Sequence, residues 1–103
     1  MKVSVIGAGS WGTALSQAIV DNKHELLIYA RSELVRDEIN NNHTNSRYLK
    51  NIVLPNEVKA TSDLEEAVKF ADVIVIAVPT KVMRETANKI NQYLDKPKYI
   101  IHV

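Results

Sequence analysis

All three glycines of this chain fall inside one hexapeptide, Gly7-Ala8-Gly9-Ser10-Trp11-Gly12. Glycine costs backbone entropy on folding, so its confinement to six adjacent residues marks a place where the backbone itself has a task. A short β-branched run, Val3 to Gly7, leads into it and predicts a buried strand. Trp11 to Val20 follows, with apolar residues at 11, 14, 15, 18 and 19 on one face of a predicted helix. A G-x-G-x-x-G turn between a strand and a helix, inside a βαβ unit of about thirty residues, is a dinucleotide-binding fingerprint. In that pattern Gly7 permits the tight turn, Gly9 lets the backbone approach a pyrophosphate, and Gly12 lets the helix pack close to the sheet. The helix N-terminus then offers free N–H groups and a positive dipole end to phosphates. A strand-to-helix turn with no ligand is the competing explanation of the same six residues.

The rest of the chain alternates in the same way. Asn22 reads as a left-handed stop, and Glu25 to Ala30 as the second strand. Ser32 can cap a helix carrying Leu34, Val35 and Ile39, and the polar stretch Asn40 to Arg47 reads as a loop. Val58 to Thr61 is a weak third strand. Ser62 and Glu65 fit a capping box before a stripe of Leu64, Ala67 and Val68. Val73 to Val78 is apolar throughout, as in a strand covered on both faces. Thr80 can cap a helix with Met83, Ala87, Ile90 and Leu94 inward. Pro97 breaks that helix, and Tyr99 to Val103 begins a fifth strand. Alternating strands and helices imply parallel βαβ units with right-handed crossovers. The predicted class is therefore α/β: a Rossmann, doubly wound parallel sheet of order 3-2-1-4-5, one NAD(P)-binding domain over residues 1–103. A chain stopping at the end of a strand is expected to be a piece of a longer protein.

Composition removes other classes. With 103 residues, 46% hydrophobic and 24% charged, the chain suits one globular domain. Thirteen basic residues against twelve acidic ones give a formal charge of +1, so no electrostatic footprint for nucleic acid arises. No apolar run approaches the roughly 18 residues of a membrane span. There is no cysteine, which excludes disulfides and thiol chemistry and is compatible with the cytoplasm. His24, His43 and His102 have no spacing that suits a metal, and none is expected. His24 reads as a turn residue and His102 as a packed core residue.

The tip of the second strand selects the cofactor. NAD binders carry an acidic residue there for the ribose 2′-hydroxyl. Here the strand ends Ile28-Tyr29-Ala30-Arg31-Ser32. Arg31 can take a 2′-phosphate through charge-assisted bonds, and Ser32 can add a hydroxyl or a helix-start N–H. NADP is favoured, with NAD as the alternative should Glu33 reach the ribose instead; a merely solvated Arg31 is the third reading. The loop after the fourth strand, Ala77 to Thr80, lies where the winding reverses, so Pro79 is expected to line the nicotinamide half. Trp11 either stacks on a ligand or covers the sheet.

At these residues the chain resembles the NAD(P)-dependent glycerol-3-phosphate dehydrogenases, the bacterial type in particular. The stretch Val5-Ile6-Gly7-Ala8-Gly9-Ser10-Trp11-Gly12-Thr13-Ala14-Leu15 is similar to that family's first strand and helix. His43-Thr44-Asn45-Ser46-Arg47-Tyr48-Leu49 resembles its N-x-x-Y-L segment. Leu54-Pro55, Ala60 to Leu64, and Ala71 through Lys81 match further stretches, so the resemblance spans nearly all 103 residues. It implies a Rossmann domain followed by a helical domain, and interconversion of dihydroxyacetone phosphate and sn-glycerol 3-phosphate for phospholipid synthesis. It implies that Ser10, Trp11, Arg31, Ser32 and Tyr48 contact NADPH, which adds to Gly7, Gly9 and Gly12 from the fingerprint and Pro79 from the topology. The family's catalytic lysine sits in a Lys-Gly pair after the fifth strand, beyond Val103. The chain is thus expected to bind cofactor without turnover, the small phosphorylated substrate being held elsewhere. A dinucleotide-sensing regulatory module and another Rossmann reductase are the alternatives; sensing modules place an acidic residue where Arg31 stands. An exposed fifth-strand edge is expected to favour marginal stability or self-association, and a homodimer is compatible with the sequence.

Overall fold

The computed structural model describes all residues, Met1–Val103. Five strands carry the fold: β1 (Lys2–Ile6), β2 (Glu25–Tyr29), β3 (Val58–Thr61), β4 (Val73–Ile76) and β5 (Tyr99–His102). Between them run α1 (Ser10–Asp21), α2 (Glu33–Asn42), α3 (Leu64–Phe70) and α4 (Met83–Tyr93). All pairings are parallel and the order is β3-β2-β1-β4-β5. This is the doubly wound topology read from the sequence.

Strand side chains alternate between two cores. Val3 and Val5 of β1, Leu26 and Ile28 of β2 and Val75 of β4 join Val20, Ile39 and Leu54 on one face. Ile6, Leu27, Ile74 and Ile76 join Ala67, Val68 and Ile90 on the other. A central strand covered on both sides must be apolar at nearly every position, and β1 and β4 are. Apart from the exposed Lys2 that opens β1, Ser4 is the exception, and its buried hydroxyl donates to the Ala67 carbonyl at 2.6 Å, which satisfies the polar group where no water reaches.

Several local expectations are corrected. The inward face of α1 is not 11, 14, 15, 18 and 19 but Gly12, Thr13, Ser16 and Val20. Trp11 is 59% exposed and does not cover the sheet. Thr13 and Ser16 can be buried because their hydroxyls donate to the helix's own Gly9 and Gly12 carbonyls, at 2.7 and 2.9 Å. Leu15 and Ile19 are half-buried at the flank of that face. The left-handed residue after α1 is Lys23, not Asn22, whose side-chain amide donates to Ala18 instead. α2 continues through Asn42, into the segment read as a loop. Asn40 sustains it: its side-chain amide exchanges two hydrogen bonds, 2.8 and 2.9 Å, with the backbone of Ala60 on the free edge of β3. Leu34 in α2 points to solvent, 83% exposed.

Asp63, rather than Ser62, caps α3, accepting from the Glu65 and Glu66 N–H groups. Ser62 accepts from Arg36 at 2.6 Å. Thr80 opens a short 3₁₀ turn, Thr80–Val82, and caps nothing through its side chain. Ala87 is exposed, while Ile90 carries the inward face of α4. His102 is exposed, as is every residue of β5, because this edge strand has no neighbour beyond it and no helix of the chain covers it. No helix is long and apolar enough to cross a membrane, and no cluster of three or more His, Asp or Glu side chains could hold a metal.

Candidate dinucleotide site

The glycine turn stands where β1 leaves the sheet. Gly7 has φ +123°, which only glycine adopts without strain, and its N–H donates to the Tyr29 carbonyl. A Cβ there would lie 2.4 Å from the Ala77 carbonyl oxygen. A Cβ at Gly12 would lie 1.9 Å from the Gly7 carbonyl oxygen, so α1 rests directly on the turn. Gly9 differs from both: a Cβ would meet nothing within 4 Å. Two of the glycines serve the protein's own packing, and the third leaves a bare stretch of backbone open to solvent. The first backbone bond of α1 is Thr13 N–H to the Gly9 carbonyl, 3.0 Å, so the N–H groups ahead of Thr13 point out of the helix unpaired.

Two hollows adjoin this turn. One, of about 390 Å³, is lined by Ala8, Gly9, Ala30, Arg31, Ser32 and Tyr48, with Val35. The other, of about 330 Å³, runs between the ends of β1, β2 and β4 and includes Tyr29, Arg31, Leu64, Val78 and Pro79. Arg31 borders both. It forms no ion pair, although five others are present. Glu33, the acidic residue nearest the strand tip, has its carboxylate 3.9 Å from Arg36, one turn further along α2. Ser32 caps α2, its hydroxyl accepting from Val35 N–H at 3.4 Å. The residues singled out in the sequence therefore gather around one turn: Gly7, Gly9, Ser10, Gly12, Arg31, Ser32, Tyr48 and Pro79. Trp11 stands exposed on the first turn of α1 but lines neither hollow. The largest hollow, about 590 Å³, lies at the opposite end of the sheet among Lys23, His24, Glu25 and Glu57. It meets the C-terminal end of α1, whose dipole repels phosphate.

The segment after α2 supplies a wall that periodicity cannot reveal. His43 ends α2 in the left-handed region, φ 58°. Asn45 is buried and its side-chain amide donates to the Ala8 carbonyl and to the Thr13 hydroxyl, both at 2.9 Å. Ser10 Oγ donates to the Tyr48 carbonyl at 3.0 Å. Glu38 holds the far side, accepting from the Thr44 hydroxyl at 2.6 Å and from Ser46 N–H at 2.8 Å. Those bonds, the Thr44 hydroxyl first, hold the Glu38 carboxyl below the usual glutamate range. A depressed folded pKa gives stability that is present above the unfolded value and lost as pH falls through the folded one. Urea unfolding should thus show wild type more stable than Glu38→Gln by a constant margin above about pH 5, with the margin shrinking below about pH 4. A margin that grows on acidification would contradict the anchoring.

The site's residues suit a dinucleotide: backbone without a Cβ, unpaired helix N–H groups, and an uncommitted guanidinium at the tip of β2. Comparisons with known proteins agree. Residues 2–103 match the family described as NAD-dependent glycerol-3-phosphate dehydrogenase N-terminus. A glycerol-3-phosphate dehydrogenase [NAD(P)+] from Listeria monocytogenes serotype 4b is 46% identical over 102 residues, covering 99% of this chain and 30% of its own length. One from Streptococcus sanguinis is 52% identical over 101 residues, covering 98% and 30%. The glycerol-3-phosphate dehydrogenase structure from Saccharomyces cerevisiae superposes with a TM-score of 0.90 at 27% identity, over 99% of this chain and 33% of that one. The chain spans about 30% of the length of the curated relatives it matches. A fold, a glycine turn and a sequence that all agree place the chain in the family of N-terminal domains of NAD-dependent glycerol-3-phosphate dehydrogenases.

Proposed function

We propose that residues 1–103 bind NADPH, with NADH as the weaker ligand, as the cofactor domain of a cytoplasmic oxidoreductase. The reaction would interconvert sn-glycerol 3-phosphate and dihydroxyacetone phosphate in glycerophospholipid synthesis. The observation that carries this is the pairing of a bare Gly9 at the α1 N-terminus with an unpaired Arg31 across one hollow. In this reading the backbone N–H groups of Gly9 and Ser10 and the dipole of α1 receive the pyrophosphate, and Gly7 and Gly12 hold the turn in place.

Arg31 and the Ser32 hydroxyl take the 2′-phosphate, while Tyr48 supplies aromatic surface; Trp11, which lines neither hollow, is assigned to the cofactor by the resemblance alone. Pro79 lines a cleft with Arg31 at the ends of β1, β2 and β4, and the loop after β4 is proposed to line the nicotinamide half, where the winding of the sheet reverses. When bound, the nicotinamide supplies or accepts the hydride. None of these side chains stands in for a carbonyl-polarising acid. The chain spans about 30% of the length of the relatives it matches, and residues 1–103 are proposed to supply the cofactor side of the reaction. The lack of cysteine fits a reducing compartment.

Calorimetric titration with NADPH and NADH at matched salt tests the proposal. Saturable one-to-one binding, tighter for NADPH, is expected. A protein folded by circular dichroism that takes up neither dinucleotide would sink it.

A further inference from the structure

Tyr48 reaches the glycine turn from a loop that is remote in sequence, held there by the Ser10 hydroxyl and by the side chain of Asn45. We propose that Asn45 is a positioning residue for the dinucleotide, holding the Tyr48 wall of the site against the glycine turn; the inference rests on the function proposed above.

Both side-chain N–H bonds of Asn45 are spent on the turn, one on the Ala8 carbonyl and one on the Thr13 hydroxyl. The orientation of the amide is fixed by its partners, since the Ala8 carbonyl can only accept. The Thr13 hydroxyl passes its own proton to the Gly9 carbonyl, so a chain of bonds links Asn45 to the residue that faces the ligand. On the loop side the Asn45 main-chain oxygen accepts from Tyr48 N–H at 3.1 Å and Leu49 N–H at 2.8 Å. Tyr48 is therefore bonded at its N–H to Asn45 and at its carbonyl to Ser10, while 41% of its surface stays exposed at the hollow. Its backbone is fixed, and its ring, with the Arg47 guanidinium 5.8 Å over it, borders the hollow.

Asn45 is only 1% exposed, and its remaining oxygen, Oδ1, has no partner. A buried polar side chain that leaves an acceptor unsatisfied lowers stability. Its two donated bonds offset that cost only by docking the loop. Without them the loop would keep Glu38 on its far side and the single Ser10 bond, so the docked form would be less populated. Apparent affinity falls in proportion to that population.

The test has a ligand-free arm and a ligand arm. Asn45→Asp replaces both donors with acceptors facing the Ala8 carbonyl; should it not fold, Asn45→Ala carries the same readings without a buried charge. By amide hydrogen exchange of the ligand-free protein, Tyr48 and Leu49 should exchange on the order of tenfold faster, with the amides of β1 and β4 unchanged. By calorimetry the Kd for NADPH should rise on the order of tenfold. In a Tyr48→Ala background the same Asn45 change should add little, because both act through one wall.

Unchanged exchange at Tyr48 and Leu49 would overturn the proposal, and so would a full additive loss in the double variant. If wild type bound no dinucleotide, the functional reading itself would fail, and faster loop exchange would then leave Asn45 as a purely structural clasp.

Discussion

Gly12→Ala is expected to cost the protein its fold, while Gly9→Ala, three residues earlier on the same turn, is expected to cost only its ligand. The difference lies in what a methyl group meets. At Gly12 it lies 1.9 Å from the Gly7 carbonyl oxygen and 3.0 Å from the carbonyl carbon. That neighbour is backbone and cannot rotate away, so α1 must lift from β1. Overpacking of a core costs about 1–3 kcal/mol where side chains can shift; against backbone the cost should reach or exceed the upper end. For a domain whose whole stability is of order 5–15 kcal/mol, this is severe. Chemical denaturation should show a large loss for Gly12→Ala. At Gly9 the methyl meets nothing within 4 Å. Its stability effect should stay within about 1 kcal/mol, an alanine cap being poorer but its unfolded chain stiffer. Yet the methyl would stand where a pyrophosphate must approach, and NADPH binding should be lost. If Gly9→Ala binds NADPH as wild type does, the phosphates do not lie over this turn.

Arg31→Ala is expected to separate the two cofactors. Arg31 is exposed and forms no ion pair, so removing it should shift stability by no more than about 0.5 kcal/mol. A charged hydrogen bond contributes about 1.5–3 kcal/mol, so the Kd for NADPH should rise roughly ten- to hundredfold. The Kd for NADH, which has no 2′-phosphate, should stay within about threefold. The wild-type preference for NADPH should also weaken with added salt, because the contact is exposed. Equal losses for both dinucleotides would place Arg31 at the pyrophosphate, and no loss for either would leave it solvated.

The sheet and its order were legible because β1, β2 and β4 are short apolar runs between helical stretches, which leaves few alternatives for a chain of this length. The glycine turn was legible because its demands are backbone demands, and glycine is their visible sign. The seat of α1 was not. Helix–sheet contact there is made by Gly12, Thr13 and Ser16, small or polar residues that a search for an apolar stripe passes over. Such a search finds Trp11 instead, which is exposed. Thr80 failed as a cap because the chain after Pro79 first forms a 3₁₀ turn. The candidate site was marked in the sequence by the glycine turn and by Arg31, which border one hollow. Asn45 was not, because an asparagine in a polar stretch carries no period, and its burial comes from contacts with residues more than thirty positions away.

The central place of β1 has a consequence for how the protein comes into being. The turn at Gly7 is held on one side by Tyr29 and on the other abuts Ala77, whose N–H donates to the Ile6 carbonyl at 2.9 Å. Synthesis proceeds from the N-terminus, and a nascent chain that has reached Thr61 already owns every fingerprint glycine, α1, Arg31 and Tyr48. It still lacks β4, one of the two strands that flank β1. Bringing β4 to β1 closes a loop of about seventy residues, the slowest kind of contact for a short chain to make. The half-made domain thus exposes one side of its central strand, a ready template for another unfinished chain. The step that completes the surroundings of the glycine turn is also the one that covers β1.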